Sequence, residues 1–400
     1  MHPWQSRTKD RGIVEQPIAI LLDPAKTKSG RSRFFCDLAG ILRGLGYSVG
    51  FGYPGSAVQR REYPYPPEVF ERTLERRSTT PDGGEGWLKW VPAKSHVITR
   101  RSLFAAIHDA ALVIVPATVD AEIGAAIRSA PEFAGRLLLT DHTGSRLTTG
   151  TAEGRPLESY RAWMDLADGV HTVNDGLAEI ARRYGARRVF TIPPAIDNRA
   201  FVSRWRVGFE RLLPRRRAIL VPGALSESKG CVTMLRAFAG VSARYPSWRM
   251  EFFGEGPERS TMETLIREWK LGDVVRLRGF DPDLVTRYRG YPIVASATAF
   301  EAFPLVLTEA MASGCIAVFP ATSGGPAAII GNGNNGLLAQ TDNEADVAVA
   351  LMDAIERFES RSGSWREMQA QAMKSAQVAK HSTVTEAWRA QLGALGCGAE

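Results

Sequence analysis

Apolar residues in this chain come in short blocks that alternate in kind. Pro17–Asp23 (PIAILLD) reads as a buried strand, and Phe34, Phe35, Leu38, Leu42 and Leu45 behind it recur at helical spacing. Tyr47–Phe51, Ala111–Val115 and Leu137–Thr140 read as further strands, and helix and strand patterns alternate again from Tyr160 to Ile192. A second run begins at Ala218. It has strands at Ala218–Val221, Met250–Phe253, Val274–Leu277, Ile293–Ala295 and Ile316–Phe319, with helices Val232–Arg244 and Met262–Trp269 among them. Three helical stretches follow: Glu344–Phe358, Trp365–Ala379 and Val384–Leu395. Short apolar strands separated by helices predict parallel sheets covered on both faces. Residues 53–95 are dense in Pro, Gly, Arg and Glu and predict long loops or an insertion with little regular structure.

The same pattern occurs twice in 400 residues, and one core rarely grows past roughly 250–300. The predicted fold is therefore α/β, with two doubly wound, Rossmann-like parallel-sheet domains facing each other across a cleft. The expected divisions are a loose tail at 1–15, an N-terminal domain at 16–200 and a connection at 201–217 that ends in Pro214-Arg215-Arg216-Arg217. A second domain follows at 218–375, then a C-terminal helix within 376–400. Ligands of such sheets sit at the carboxyl ends of the strands, so chemistry is expected in the cleft.

Composition narrows the class. With 44% hydrophobic and 23% charged residues, a disordered chain, a fibre and a disulfide-stapled miniprotein are excluded. No apolar run reaches the roughly 18 residues of a membrane span. The first residues (MHPWQSRTKDRG) lack an apolar core of a secretory signal. Cys36, Cys231, Cys315 and Cys397 are scattered, which favours reduced thiols in a cytoplasmic protein. The net charge is +7, with +5 in residues 1–200 and +2 in 201–400. That excess fits an anionic ligand or an anionic lipid surface as well as ordinary surface charge. No zinc-type spacing and no aromatic–basic motif occurs, and no nucleic-acid partner is expected.

The densest chemical signal is Thr298–Gly314, TAFEAFPLVLTEAMASG. Pro304 suits the first position of a helix running Leu305–Ala312, whose free N–H groups form an anion site. Glu301 lies just before that end. Glu309 lies about five residues in, roughly 7–8 Å along the axis. Solvated glutamates are the alternative, but the apolar run between them argues that Glu309 is flanked by core. In Val221–Gly230 (VPGALSESKG) a strand ends and Lys229–Gly230 opens the next helix, a place suited to phosphate. Phe253-Gly254-Glu255-Gly256-Pro257 has Arg259 where a dinucleotide fingerprint needs a third glycine, so it is a strand-to-helix turn. Asp281-Pro282-Asp283 reads as a turn and helix cap rather than a metal site.

In order, Leu225–Gly230, Phe253–Arg259, Leu277–Phe280, Thr298–Gly314, Gly324–Ile330 and Asn335–Leu338 resemble the C-terminal domain of the retaining glycosyltransferases of family 4, which have the two-domain B-type fold. The spacing of Glu301 and Glu309 matches the paired-glutamate motif of that family. The resemblance covers about residues 216–360 and extends more weakly over Ile18–Val49 and Leu137–Phe201. It implies that Glu309 binds a ribose and that Glu301 meets donor-sugar hydroxyls. It places Phe303, Pro304 and Leu305 beside sugar and diphosphate, gives Lys229 to the diphosphate, and sets Gly254 among the donor-binding positions. Ser29 and Gly30 stand where a glycine loop approaches the donor. His142 resembles the active-site histidine; from the residues alone it reads equally as a cap or a core histidine. The last helix, with Trp388, is expected to pack back on the N-terminal domain.

Four positions depart from the family pattern: Ala224 in place of an arginine, Ala302 in place of a glycine, Ser29 in a glycine pair, and Pro194–Ala195 in place of Asn–Gly. The loss at Ala224 removes a charge-assisted contact worth roughly 1.5–3 kcal/mol; Arg31, Arg33 or the 215–217 run are the candidates to replace it. The resemblance implies a metal-independent, retaining transfer from a nucleotide-diphosphate sugar to a sugar or lipid-linked acceptor in glycan, polysaccharide or glycolipid synthesis. No cofactor is expected. The basic first domain adds an expected peripheral contact with the inner face of a membrane. The competing readings are a catalytically silent nucleotide-sugar-binding protein and a nucleotide-sugar epimerase.

Overall fold

The computed structural model describes residues 17–22, 30–54, 69–74, 76–77, 87–91, 94–142, 157–201, 216–360 and 363–397. The first sheet has seven parallel strands in the order Val189–Thr191, Gly169–Thr172, Arg136–Asp141, Ala110–Pro116, Ile18–Leu22, Ser48–Pro54 and Phe70–Leu74. The second has six: Val275–Gly279, Arg249–Phe253, Ala218–Pro222, Ile293–Ala295, Ile316–Pro320 and Leu337–Ala339. The central strands are fully buried runs such as Ala218–Pro222, because helices cover both faces and neither face needs a polar alternation.

Each sheet has one place where the strand order reverses. In the first it lies between Ile18–Leu22 and Ala110–Pro116, in the second between Ala218–Pro222 and Ile293–Ala295. The loops leaving these strands part to opposite faces and leave a crevice between them. The segments that follow Ile18–Leu22, Ala218–Pro222 and Ile293–Ala295 lead to Gly30, Lys229 and Glu301 respectively.

Residues 53–95 are not merely loops. Phe70–Leu74 extends the first sheet in parallel with Ser48–Pro54. Arg76–Arg77, Lys94–Thr99 and Trp87–Val91 form a separate antiparallel sheet. Each of these strands contains charged residues rather than forming an unbroken apolar run.

The chain crosses between domains at two adjacent points. Ile196 N–H donates to Ala379 O at 3.0 Å, and Ile196 and Ala200 already pack with Leu307, Met311, Ala372 and Ala376. On the return crossing, the helix His381–Ala394 places Val384, Trp388 and Leu392 in one cluster with Ala19, Phe35, Leu42 and Leu138 of the first domain. Among the described residues no helix is long and apolar enough to cross a membrane.

Candidate active site

The helix runs Leu305–Ala312, as its pattern predicts. Pro304 is the N-cap, with extended backbone, rather than the first helical residue. The first intrahelical bonds run from Leu307 and Thr308 to Pro304 O at 3.1 and 3.3 Å. The N–H groups of Leu305 and Val306 come before that ladder, with the positive end of the helix dipole behind them. Phe303 and Leu305 lean on the core beneath. Glu301 pairs its backbone with the loop at Gly324–Gly325: Gly325 N–H donates to Glu301 O at 2.7 Å.

Lys229 ends a 3-10 turn, Glu227–Lys229, before the helix Cys231–Arg244. Gly230 at the junction has φ +62°, and a Cβ there would stand 2.1 Å from Ala297 O. Only glycine lets the turn press against the strand exit that leads to Glu301. Lys229 and Glu301 accordingly meet in an ion pair. Gly254 serves the same purpose one strand over: a Cβ would lie 1.9 Å from Gly223 O.

Glu309 is 4% exposed, so it is a buried carboxylate and not a solvated one. The guanidinium of Arg33, from the helix Gly30–Gly44, reaches it from the other domain, with Nη2 2.7 Å from Oε1. The contact is an ion pair across the cleft at hydrogen-bonding distance. The buried Tyr288 hydroxyl stands against the same carboxylate. Burial pushes the pKa of Glu309 up, and Arg33 partly opposes this.

The next residue of that first-domain helix, Phe34, meets His142 edge-on, with ring centroids 4.4 Å apart. His142 follows the strand Arg136–Asp141, and its Nε2 lies 3.0 Å from Thr140 Oγ1. One helical turn thus presents Arg33 to Glu309 and Phe34 to His142. Gly30 is the first residue of that helix, while Ser29 and Arg31's side chain lie outside what is described. A second bridge crosses the cleft: Asn174 caps the helix Asp175–Arg183 through Leu177 N–H, and its Nδ2 donates to Ala302 O at 2.6 Å.

Neither described arginine of the 215–217 run stands in for the one absent at Ala224. Arg216 pairs with Glu251 and Arg217 with Glu359, both away from the crevice. Asp281 accepts from Asp283 N–H at 2.8 Å and pairs with Arg287. Asp283 pairs with Arg199 and makes no side-chain cap bond to the helix Leu284–Arg287, of which it is the N-cap residue. No group of three or more metal-binding side chains occurs among the described residues.

The pairing of Arg33 with Glu309, and the bridge from Asn174, were not legible as contacts. Asn174 offered one signal, an Asn ahead of a helical run, but a capping residue reads as local.

Residues 208–374 match the family model described as Glycosyl transferases group 1. An exopolysaccharide phosphotransferase of Streptomyces coelicolor is 32% identical over 53% of this chain and 21% of its own length. A D-inositol 3-phosphate glycosyltransferase of Corynebacterium kroppenstedtii is 33% identical over 38% of each chain. The chain therefore spans well under half the length of these curated relatives. In overall shape it is similar to the pneumococcal O-GlcNAc transferase GtfA, solved with UDP and GlcNAc, with a TM-score of 0.71 at 15% identity over 95% of this chain and 99% of that one. Residues 208–374, which include the crevice residues Lys229, Glu301 and Glu309, are thus similar to the group 1 glycosyl transferases, on a two-domain chain with the B-type glycosyltransferase fold.

Proposed function

We propose that this protein transfers a sugar from a nucleoside-diphosphate sugar to a hydroxyl acceptor, with retention at the anomeric carbon and without a metal ion. The observation that carries the reading is the buried Glu309 carboxylate, on the same helix whose N-terminus offers two open N–H groups beside a lysine–glutamate pair. A ribose diol is the kind of ligand that a buried carboxylate accepts from, and a diphosphate is what a lysine beside a helix N-terminus attracts.

The ion pair of Lys229 with Glu301 gives the binding step its logic. A diphosphate takes the lysine, and the freed Glu301 carboxylate accepts from hydroxyls of the donor sugar. As the glycosidic bond breaks, charge grows on the β-phosphate oxygen. Lys229 and the helix end near Leu305 stabilise it without reorganising. A sugar or a lipid-linked glycan is the acceptor class, and the basic first domain suits an anionic membrane surface. In this reading His142, just after the strand Arg136–Asp141, is the first-domain residue that meets the reacting sugar.

The test is a thermal-shift panel of UDP-, GDP- and ADP-sugars followed by a nucleotide-release assay. Donor at 100 times its dissociation constant should add about 2.7 kcal/mol. Binding without release under any acceptor would favour a silent sugar-nucleotide binder, and no binding at all would refute the reading.

A further inference from the structure

Three side chains behind the crevice form one line of hydrogen bonds. Thr140 and His171 are cross-strand partners in the ladder between Arg136–Asp141 and Gly169–Thr172. His171 Nε2 lies 2.8 Å from Ile192 O, its Nδ1 lies 2.7 Å from Thr140 Oγ1, and Thr140 Oγ1 lies 3.0 Å from His142 Nε2.

The proton positions along this line follow from valence. A carbonyl oxygen only accepts, so His171 Nε2 carries a hydrogen. The ring is wholly buried. It is stacked on Phe34 at 5.5 Å and packed against Phe190 and Trp388 at 5.8 and 4.8 Å. An imidazolium among those aromatic rings would lose its hydration, and burial lowers the pKa of His171 to about 4. The ring is therefore neutral, and Nδ1 is a lone pair. That lone pair takes the single hydroxyl proton of Thr140. Toward His142 the hydroxyl can then only accept, so His142 Nε2 must donate.

We propose that Thr140 and His171 are positioning residues for His142: the buried ring fixes the hydroxyl proton of Thr140, and through it the tautomer and the aim of the active-site imidazole. In neutral His142 the proton is on Nε2 and the basic nitrogen is Nδ1. Phe34, edge-on to His142 and stacked on His171, holds both rings in that arrangement. The inference rests on the reading of His142 as the first-domain residue of the active site.

Nitrogen-15 spectra of the imidazoles in the full chain, with His142 assigned by its loss in His142→Gln, test the relay directly. The expected signature is a single Nε2–H tautomer for neutral His142; a predominant Nδ1–H form in the wild type overturns the proposal whatever the variants do. Thr140→Val, which keeps the shape and removes the hydroxyl, should give a mixture of tautomers. Its kcat for nucleotide release should fall about tenfold at unchanged KM, short of the roughly 10²-fold or more that loss of a proton-handling group costs. Thr140→Ser should recover most of that turnover. Equal losses in Thr140→Val and Thr140→Ser would mark a packing effect and overturn the relay. So would a Thr140→Val variant with wild-type spectra and kcat while His142→Gln is inactive. Wild-type turnover in His142→Gln would instead sink the reading of His142 itself.

Discussion

Arg33 of the first domain and Glu309 of the second stand 2.7 Å apart across the cleft. The pair gives a buried carboxylate its counter-charge from the opposite domain, so a ligand that needs Glu309 must share it with Arg33 or displace it. The side chain of Arg33 is 27% exposed and that of Glu309 5%, so the arginine is the more accessible of the two.

Glu309→Ala should weaken donor binding by roughly 1.5–3 kcal/mol, the worth of hydrogen bonds to a charged group. Calorimetry with the nucleotide that binds best measures it. Unchanged affinity in a folded variant would show that Glu309 holds Arg33 and nothing else.

Asp37 lies one turn beyond Arg33. Desolvation, with Glu309 and Asp197 adding and Arg33 opposing, pushes its pKa from 3.8 up to about 6. A carboxyl with a raised folded-state pKa binds its proton more tightly in the fold than in the unfolded chain. Its contribution to stability is complete below pH 3.8 and is lost as pH rises through 6. Asp37→Asn should therefore gain stability relative to wild type between pH 4 and 7. The side chain is 37% exposed, so water damps the size of the effect but not its sign. Urea midpoints across that range decide the matter; parallel curves would mean that Asp37 titrates as in water.

Lys229→Ala should lower turnover more than donor affinity, because the charge it meets is largest as the diphosphate departs. Separate kcat and KM values for nucleotide release distinguish this from a loss of binding alone. A variant with wild-type kcat would make Lys229 a partner of Glu301 and no more.

Activity should survive EDTA, since Lys229 and the end of the helix Leu305–Ala312 supply the positive charge. Abolition by the chelator with rescue by magnesium or manganese would return attention to Asp281 and Asp283, which are now engaged by Arg287 and Arg199.

Trp388→Ala should cost about 3–5 kcal/mol, as the loss of a large buried aromatic does. Its ring lies 4.8 Å from His171 and 5.8 Å from Phe190, both of the first domain. Amide exchange should show the loss in the first sheet. A uniform effect on both sheets would mean that the domains unfold as one.

The sheets were legible because their strands are unbroken apolar runs: Ala218–Val221 in the sequence is Ala218–Pro222 in the fold. Phe70–Leu74 and Trp87–Val91 were not, because edge strands mix charges with apolar residues and sit among prolines. At the site, Glu301, Glu309 and Lys229 could be found from spacing within one domain. The contacts of Arg33, Asn174 and His171 join residues whose separation in sequence spans dozens to hundreds of positions. Such partners are chosen by strand order and by how the two domains meet, and a local pattern carries neither. His171 in particular sits in the short buried strand Gly169–Thr172, where no local pattern tells which groups its two ring nitrogens meet.

The helix His381–Ala394 closes the first domain's core from the far end of the chain. During synthesis, residues 17–201 leave the ribosome long before Trp388 exists, and the slot beside His171 and Phe190 must wait for it. The second sheet also waits for helices beyond its last strand, but these end earlier: Leu351, Ile355, Trp365 and Met368 complete its core before His381 is made. The order of completion is thus the reverse of the order of translation: the domain made first is finished last. A released chain that ends before His381 should resist protease in the second sheet and remain cleavable in the first.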